Sequence, residues 1–187
     1  MKDQPLLNVR EMRITDISLI ADYWFLSDPD FLVRMGVDLK KMPVRKDFEE
    51  MLEQQINTRM EEKAAYALIW EAGNLPVGHS NINNIIFGNV ANMHLHLWKP
   101  EFRRKGIGTT LVRKSLSSYF NNFHLKQLIC EPRAINLAPN KTLEKAGFTF
   151  EKTYLTIPGK INFEQEVNRW VLTKLQFENN INSINQL

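Results

Sequence analysis

The chain has 187 residues, of which 43% are hydrophobic and 24% charged, and its net charge is +3. That length suits one domain with a sizeable core, and the charge suits an anionic ligand such as a nucleotide cofactor while being too small to argue for nucleic acid. The lone cysteine, Cys130, excludes an internal disulfide and a cysteine metal cluster, and no apolar window reaches the length of a membrane span. The start Met1-Lys2-Asp3-Gln4-Pro5 lacks the apolar core of a signal peptide, so a cytoplasmic protein is expected, with no membrane or nucleic-acid partner and no metal.

In chain order, Leu6 to Ile14 alternates as a first strand. Thr15-Asp16 reads as a helix N-cap region, and Ile17, Leu19, Ile20, Tyr23 and Trp24 recur at helical spacing. This helix is expected to end near Ser27-Asp28-Pro29-Asp30, and Phe31 to Asp38 is an apolar stretch ending in loop signals. Pro43 opens a second helix with Phe48, Met51, Leu52 and Ile56 on one stripe. Tyr66–Glu71, Val77–Phe87 and residues 91–98 read as three antiparallel strands, joined by turns at Ala72–Pro76 and at Gly88-Asn89.

A helix at about 108–122 follows, then a strand at Leu125–Glu131 and a helix from Asn136 to Ala146 closed by Gly147. Phe148–Ile157 and Val167–Leu175 are the last two strands, around a Pro158-Gly159 turn. The tail Asn179–Leu187 is polar and expected to fray. An antiparallel meander followed by alternating helices and strands predicts an α/β fold with a mixed sheet, in one domain over residues 1–178.

The stretch Arg103-Arg104-Lys105-Gly106-Ile107-Gly108-Thr109 lies between a strand and a helix start. Close glycines let a ligand approach the backbone, the first helical amides have no intrahelical partner, and the helix dipole is positive there. Three cations strengthen the attraction, so a phosphate or pyrophosphate is the expected guest. A Walker loop is excluded by spacing, and a dinucleotide fingerprint would need glycine where Leu111 stands. Alone, such a charge run would read as a solvated basic turn.

Arg103-x-x-Gly106-x-Gly108 at this junction resembles the acyl-CoA-binding motif of the GCN5-related N-acetyltransferases (GNAT). Asn136 to Phe148, reading Asn-Leu-Ala-Pro-Asn-Lys-Thr-Leu-Glu-Lys-Ala-Gly-Phe, is similar to the family's next helix, at the right distance downstream. The resemblance covers about residues 66–175, with the first two helices in the place of a variable acceptor-binding segment. It implies a central, mostly antiparallel sheet splayed between its fourth and fifth strands and flanked by helices. It also implies transfer of an acetyl group from acetyl-CoA to a primary amine. The cofactor-binding residues it marks are Leu97, Trp98 and Lys99 for the pantetheine arm, Arg103, Arg104, Lys105, Gly106, Ile107, Gly108 and Thr109 for the pyrophosphate, and Asn136 and Asn140 on the second block.

The amine must lose a proton to attack, so a general base is useful. His94 and His96 fall on one strand face by the two-residue period, and histidine titrates near neutrality. Some family members are similar in placing histidine on this strand; His94 aligns with those bases better and is ranked first. The bland reading of both is packing within the sheet. His79 lies on a neighbouring strand, and His124 ends the helix as a solvated residue.

The family's usual acid, a tyrosine four residues before the Gly-Phe glycine, is replaced by Leu143, and a serine used in one branch is replaced by Pro139. Asn140, Tyr154 or water are the remaining acid candidates, unless the thiolate leaves unaided. Cys130 reads as a small buried hydrophobe. Trp24, Phe31, Met35 and Met42 are candidates to line a pocket for an apolar amine. Asp28, Asp30 and Asp38 are candidate partners of a cationic acceptor, and Arg133 and Arg169 of an acidic one. The acceptor expected is a small-molecule amine. A weakly catalytic coenzyme A-binding or sensing module, and an acetyltransferase of a protein N-terminus, are the alternatives. A homodimer is left open, through strand addition along 167–175.

Overall fold

The computed structural model describes residues 5–103 and 105–184, with side chains as far as Asn180. Seven strands form one sheet: β1 (Leu7–Glu11), β2 (Ala65–Ala72), β3 (Leu75–Ile86), β4 (Val90–Leu97), β5 (Gln127–Cys130), β6 (Thr149–Thr156) and β7 (Gln165–Thr173). Their spatial order is β1-β2-β3-β4-β5-β7-β6. β1 to β4 are antiparallel neighbours, β4 and β5 run parallel, and β7 pairs antiparallel with both β5 and β6. This is the mixed, mostly antiparallel sheet expected.

Alternation sends the two faces of the sheet to different helices. One face carries Leu68, Trp70, Ile82, Ala91 and Met93 against α4 (Ile107–Asn122), whose Leu111, Val112, Leu116, Tyr119 and Phe120 fill the main core. Polar groups inside that layer are satisfied: Trp70 Nε1 donates to Ser115 Oγ at 2.9 Å, and Ser80 Oγ lies 2.7 Å from the Tyr119 hydroxyl. The other face carries Ala67 and Ile69 against α1 (Ile17–Phe25) and α3 (Arg45–Asn57) in a smaller core with Met12, Ile20 and Leu52. α5 (Leu137–Ala146) follows β5 and packs beside α4, and Gly147 closes it in a left-handed conformation, as the sequence pattern predicts.

Three stretches differ from expectation. Phe31–Asp38 is not simply an apolar run into a loop: Pro29–Arg34 forms a short helix, α2, because the Asp28 carboxylate accepts from Phe31 N at 2.8 Å and Pro29 takes the first helical position. The polar tail does not begin at 179. The last strand stops at Thr173, and Lys174–Ile184 forms α6, whose Phe177 stacks on Phe120 with ring centroids 4.7 Å apart. One buried ring gives this Asn-rich segment a packed face. Finally, β7 is not an edge that a second copy could extend, since β5 and β6 occupy both of its sides.

The segment after α2 is zipped to the β6–β7 turn. The Gly36 carbonyl accepts from Phe163 N, Asn162 Nδ2 and Gln165 Nε2, and Asp38 N donates to Ile161 O at 2.8 Å. Arg133, on the loop after β5, reaches the Val33 and Arg34 carbonyls and lies over Phe163, its Cζ being 5.4 Å from the ring centroid.

Phe177→Ala is expected to lower unfolding free energy by about 3 kcal/mol, as for other buried rings, measured by denaturant titration. An unchanged midpoint would mean that α6 contributes nothing to the core.

Candidate active site

β4 is held to β5 only through Val90, Ala91 and Asn92, opposite Gln127, Leu128 and Ile129. From Met93 to Leu97 it continues with β3 alone as its ladder partner. The two strands separate because β5 ends at Cys130, and the chain after it turns off through Glu131 and Pro132 toward α5. The gap exposes a run of backbone groups on β4, with the start of α4 on one side of the sheet and α1 and α2 on the other.

The glycine loop leads into α4. Pro100–Phe102 makes a single helical turn, and Gly106 then takes φ 75°, ψ −10° at the α4 N-cap, a backbone shape costly for any residue with a Cβ. No side chain caps this helix, so its first amides are open to a ligand. Gly108 differs, because a Cβ there would meet nothing nearer than Thr142 Oγ1 at 3.9 Å. Ile107 is buried beneath the loop, while Thr109 is half-buried and Lys105 exposed, with its Nζ 5.9 Å from the Phe102 ring centroid. Arg103 does not point along the loop: its Nη2 donates to Leu97 O at 3.2 Å, and its Cζ stands 5.0 Å from the Phe31 ring centroid. Arg104 lies outside the described residues.

The two asparagines of the second block part company. Asn136 caps α5 with its backbone, and its side chain makes no hydrogen bond within the described residues. Asn140 is spent on the protein itself. Its Nδ2 donates to Arg133 O and Asn136 O at 3.1 and 2.7 Å, and its Oδ1 accepts from Asn168 Nδ2 and Trp170 Nε1 at 2.9 and 2.8 Å. Two donors and two acceptor sites are then filled, which leaves an amide nothing to offer a ligand. Tyr154 is also engaged, its hydroxyl donating to Glu131 Oε1 at 2.5 Å, where Arg169 Nη1 donates too at 2.8 Å.

His94 and His96 share a sheet face with Trp98, as the alternation predicts, and His79 joins them from β3, directly opposite His96. His79 and His96 stack at 4.6 Å. α1 covers them with Tyr23 and Trp24, whose rings lie 5.4 and 5.0 Å from that of His96. Burial pushes all three imidazoles down. His79 falls to about 3, with the nearby His94 adding to the effect, and His94 falls to about 4 against the opposing pull of Glu131. His96 lies well below its ordinary value through burial, then through His79 and His94. The cluster is therefore neutral at pH 7.

Hydrogen bonds set the tautomers. Trp98 Nε1 donates to His79 Nδ1 at 2.7 Å, so that nitrogen carries a lone pair already in use. His94 Nε2 faces Asn83 Oδ1 at 3.2 Å and must be its N–H, which leaves the Nδ1 lone pair free. The Tyr23 hydroxyl donates to Met35 Sδ at 3.3 Å, and His96 Nδ1 lies 3.3 Å from the same oxygen. His94 Nδ1 is thus an unclaimed acceptor, and His96 Nε2 also has no partner among the described residues. Tyr23, Glu131 and the pairing role of His79 escape a reading by motif, because each acts from a separate element. The alternation of β3 against β4 is the signal that could have found His79.

The acetyltransferase (GNAT) domain model matches residues 7–149 of the chain. The chain belongs to the GNAT acetyltransferase family, which makes it an acyltransferase of the N-acetyltransferase class. No curated protein sequence matches it. Among solved structures, a variant of the spermidine N-acetyltransferase SpeG from Vibrio cholerae superposes with a TM-score of 0.72 at 18% identity, covering 93% of this chain and 97% of that one. The aminoglycoside acetyltransferase AAC(6')-Ib in complex with coenzyme A gives 0.69 at 19% identity, over 93% and 98% of the two chains. RimL, a ribosomal L7/L12 alpha-N-protein acetyltransferase in complex with coenzyme A, gives 0.69 at 15%, over 89% and 93%. These likenesses fix the fold.

The depressed histidines carry a stability cost in acid. An unfolded histidine binds a proton near pH 6.5, whereas folded His79 does not until about pH 3, so stability is lost as pH falls through that window. At pH 5 this amounts to about 2 kcal/mol for His79, which is only 3% exposed. His79→Gln, which keeps an acceptor for Trp98, is expected to show a smaller drop in melting temperature between pH 7.5 and 5 than the parent. Equal drops would contradict the burial of a neutral imidazole.

Proposed function

We propose that the chain transfers an acetyl group from acetyl-CoA to a primary amine of a small molecule by direct attack, as a cytoplasmic enzyme whose catalytic domain spans residues 1–178. One observation carries this: the length of β4 beyond Asn92 that β5 leaves open, with the uncapped start of α4 on one side and neutral imidazoles on the other. Membership of the GNAT family and similarity to structures named as spermidine, aminoglycoside and ribosomal-protein acetyltransferases support it.

The residues present fit the cofactor. Glycine at 108 is not demanded by the protein's own packing, and alanine would be the better helix former by about 1 kcal/mol. Room left at the first turn of an uncapped helix suits a phosphate. The amides from Lys105 to Thr109 are the ones to hold the pyrophosphate, and the sequence motif adds Arg104 to them. The backbone of Leu97, Trp98 and Lys99 takes the extended arm, which requires Arg103 to release Leu97 O. Asn136 adds a free side-chain amide, and Asn140 braces α5 from behind.

Bound acetyl-CoA supplies the electrophilic thioester carbon. His94 accepts the proton that the amine gives up, at its free Nδ1, directly or through one water. With a value near 4 it is always unprotonated at neutral pH and passes the proton on to solvent. His96 orders the pocket through Tyr23 rather than taking the proton itself. No acid is assigned, since the Tyr154 phenol and the Asn140 amide are both committed elsewhere.

Acetyl-CoA at a hundred times its Kd is expected to stabilise the protein by about 2.7 kcal/mol, and thiol release should then depend on an amine. His94→Ala should lower kcat by roughly a hundredfold while leaving that stabilisation intact. Full turnover in this variant would remove His94 as the base, and absence of any acetyl-CoA stabilisation would remove the reading. Between pH 6 and 7, kcat/KM should show no histidine inflection and rise only with deprotonation of the amine.

Gly108→Ala separates packing from ligand room. Its melting temperature without ligand should equal or exceed the parent's, while KM for acetyl-CoA rises at least about tenfold, the size of one lost contact. An unchanged KM would place the cofactor away from the α4 start.

A further inference from the structure

Resting on the acetyl-transfer reading, we infer that the acceptor is a primary monoamine with an uncharged apolar body, and that this body lies in a cleft between the end of α1 and the ends of β3 and β4. The cleft has a volume of about 300 Å³ and is lined by Leu19, Leu26, Leu75, Pro76, Tyr23 and Trp98. That size suits a small molecule. Three of its leucines are exposed to water, Leu19 at 37%, Leu26 at 72% and Leu75 at 45%. Exposed leucines gathered on one concave surface mark a binding site more often than chance.

The cleft shares two walls with the histidine cluster. Tyr23 reaches His96 with its hydroxyl and Trp98 reaches His79 with its indole N–H. An apolar body held here lies against the two side chains that contact His79 and His96, on the sheet face that also carries His94.

Charge decides between a monoamine and a polycation. Most carboxylates near the cleft are already engaged. Asp22, which lines the cleft, receives Arg45 Nη2 at 2.7 Å, and Asp28 caps α2. Asp38 accepts from Lys40 N, and Glu131 accepts from Tyr154 and Arg169. Asp30 is exposed in the first turn of α2, matched to the helix dipole. Lys99 lines the cleft with no acid paired to it among the described residues, and Arg103 stands over Phe31. Within the cleft itself a second or third ammonium would meet Lys99, while the one carboxylate lining it, Asp22, is already paired with Arg45.

The test compares 2-phenylethylamine, n-hexylamine, spermidine, kanamycin and a short peptide with a free N-terminus, by thiol release at saturating acetyl-CoA. Acetyl-CoA binding is followed separately by calorimetry. kcat/KM for the two monoamines is expected to exceed that for the others at least tenfold. Leu26→Asp and Leu75→Asp, both at exposed positions that tolerate a charge, should lower kcat/KM for 2-phenylethylamine at least tenfold without moving KM for acetyl-CoA. Preference for spermidine, kanamycin or the peptide overturns the inference and leaves the acetyl-transfer reading standing. So does turnover of no monoamine by a protein that binds acetyl-CoA, or indifference to both aspartates. Failure to bind acetyl-CoA removes both.

Discussion

The separation of β4 from β5 is the constraint on which the rest depends. A parallel pair that stayed in register would bury its backbone groups in hydrogen bonds and leave no slot. By letting β5 end at Cys130, the fold gives up a few ladder bonds and gains a crevice with backbone donors and acceptors along one wall. Such a crevice opens only if the neighbouring layers hold it open. α4 does so from one face through its aromatic and aliphatic core, and α1 does so from the other through Tyr23 and Trp24. The chemistry sits where these layers cannot close.

Polar atoms away from the slot do quiet structural work. Asn140 links α5, the loop after β5 and β7 in one saturated amide. The Glu131, Tyr154 and Arg169 group ties the end of β5 to β6 and β7. Both lie on the wall opposite β4, so the chain that leaves β5 is held by side chains where its ladder to β7 stops. The imidazoles are the mirror case, buried neutral under aromatic rings, where they act as uncharged acceptors.

Much of this was legible in residue patterns. Period-two alternation placed β2, β3 and β4 and put His94 and His96 on one face, since a strand allows no other arrangement. Gly106 and Gly147 marked a helix start and a helix end, because both need left-handed backbone. What escaped was set by distant partners. α2 is too short to show a period and depends on the Asp28 cap. α6 looks polar because a single ring, Phe177, anchors it to Phe120. Asn140 reads as a ligand contact in a motif, yet its bonds go to residues up to 30 positions away. The insertion of β7 between β5 and β6 is a matter of topology that no local pattern states.

The Gly36 carbonyl collects three donors from the β6–β7 region, joining parts of the chain as far as 129 residues apart. α2 and that turn are consequently one mechanical unit, although most of the chain lies between them. A change of length in either segment pulls on the other through the Gly36 oxygen and the neighbouring Asp38–Ile161 bond. An insertion in one segment therefore demands a matched alteration in the other, whereas a side-chain exchange at an exposed position such as Leu26 demands none.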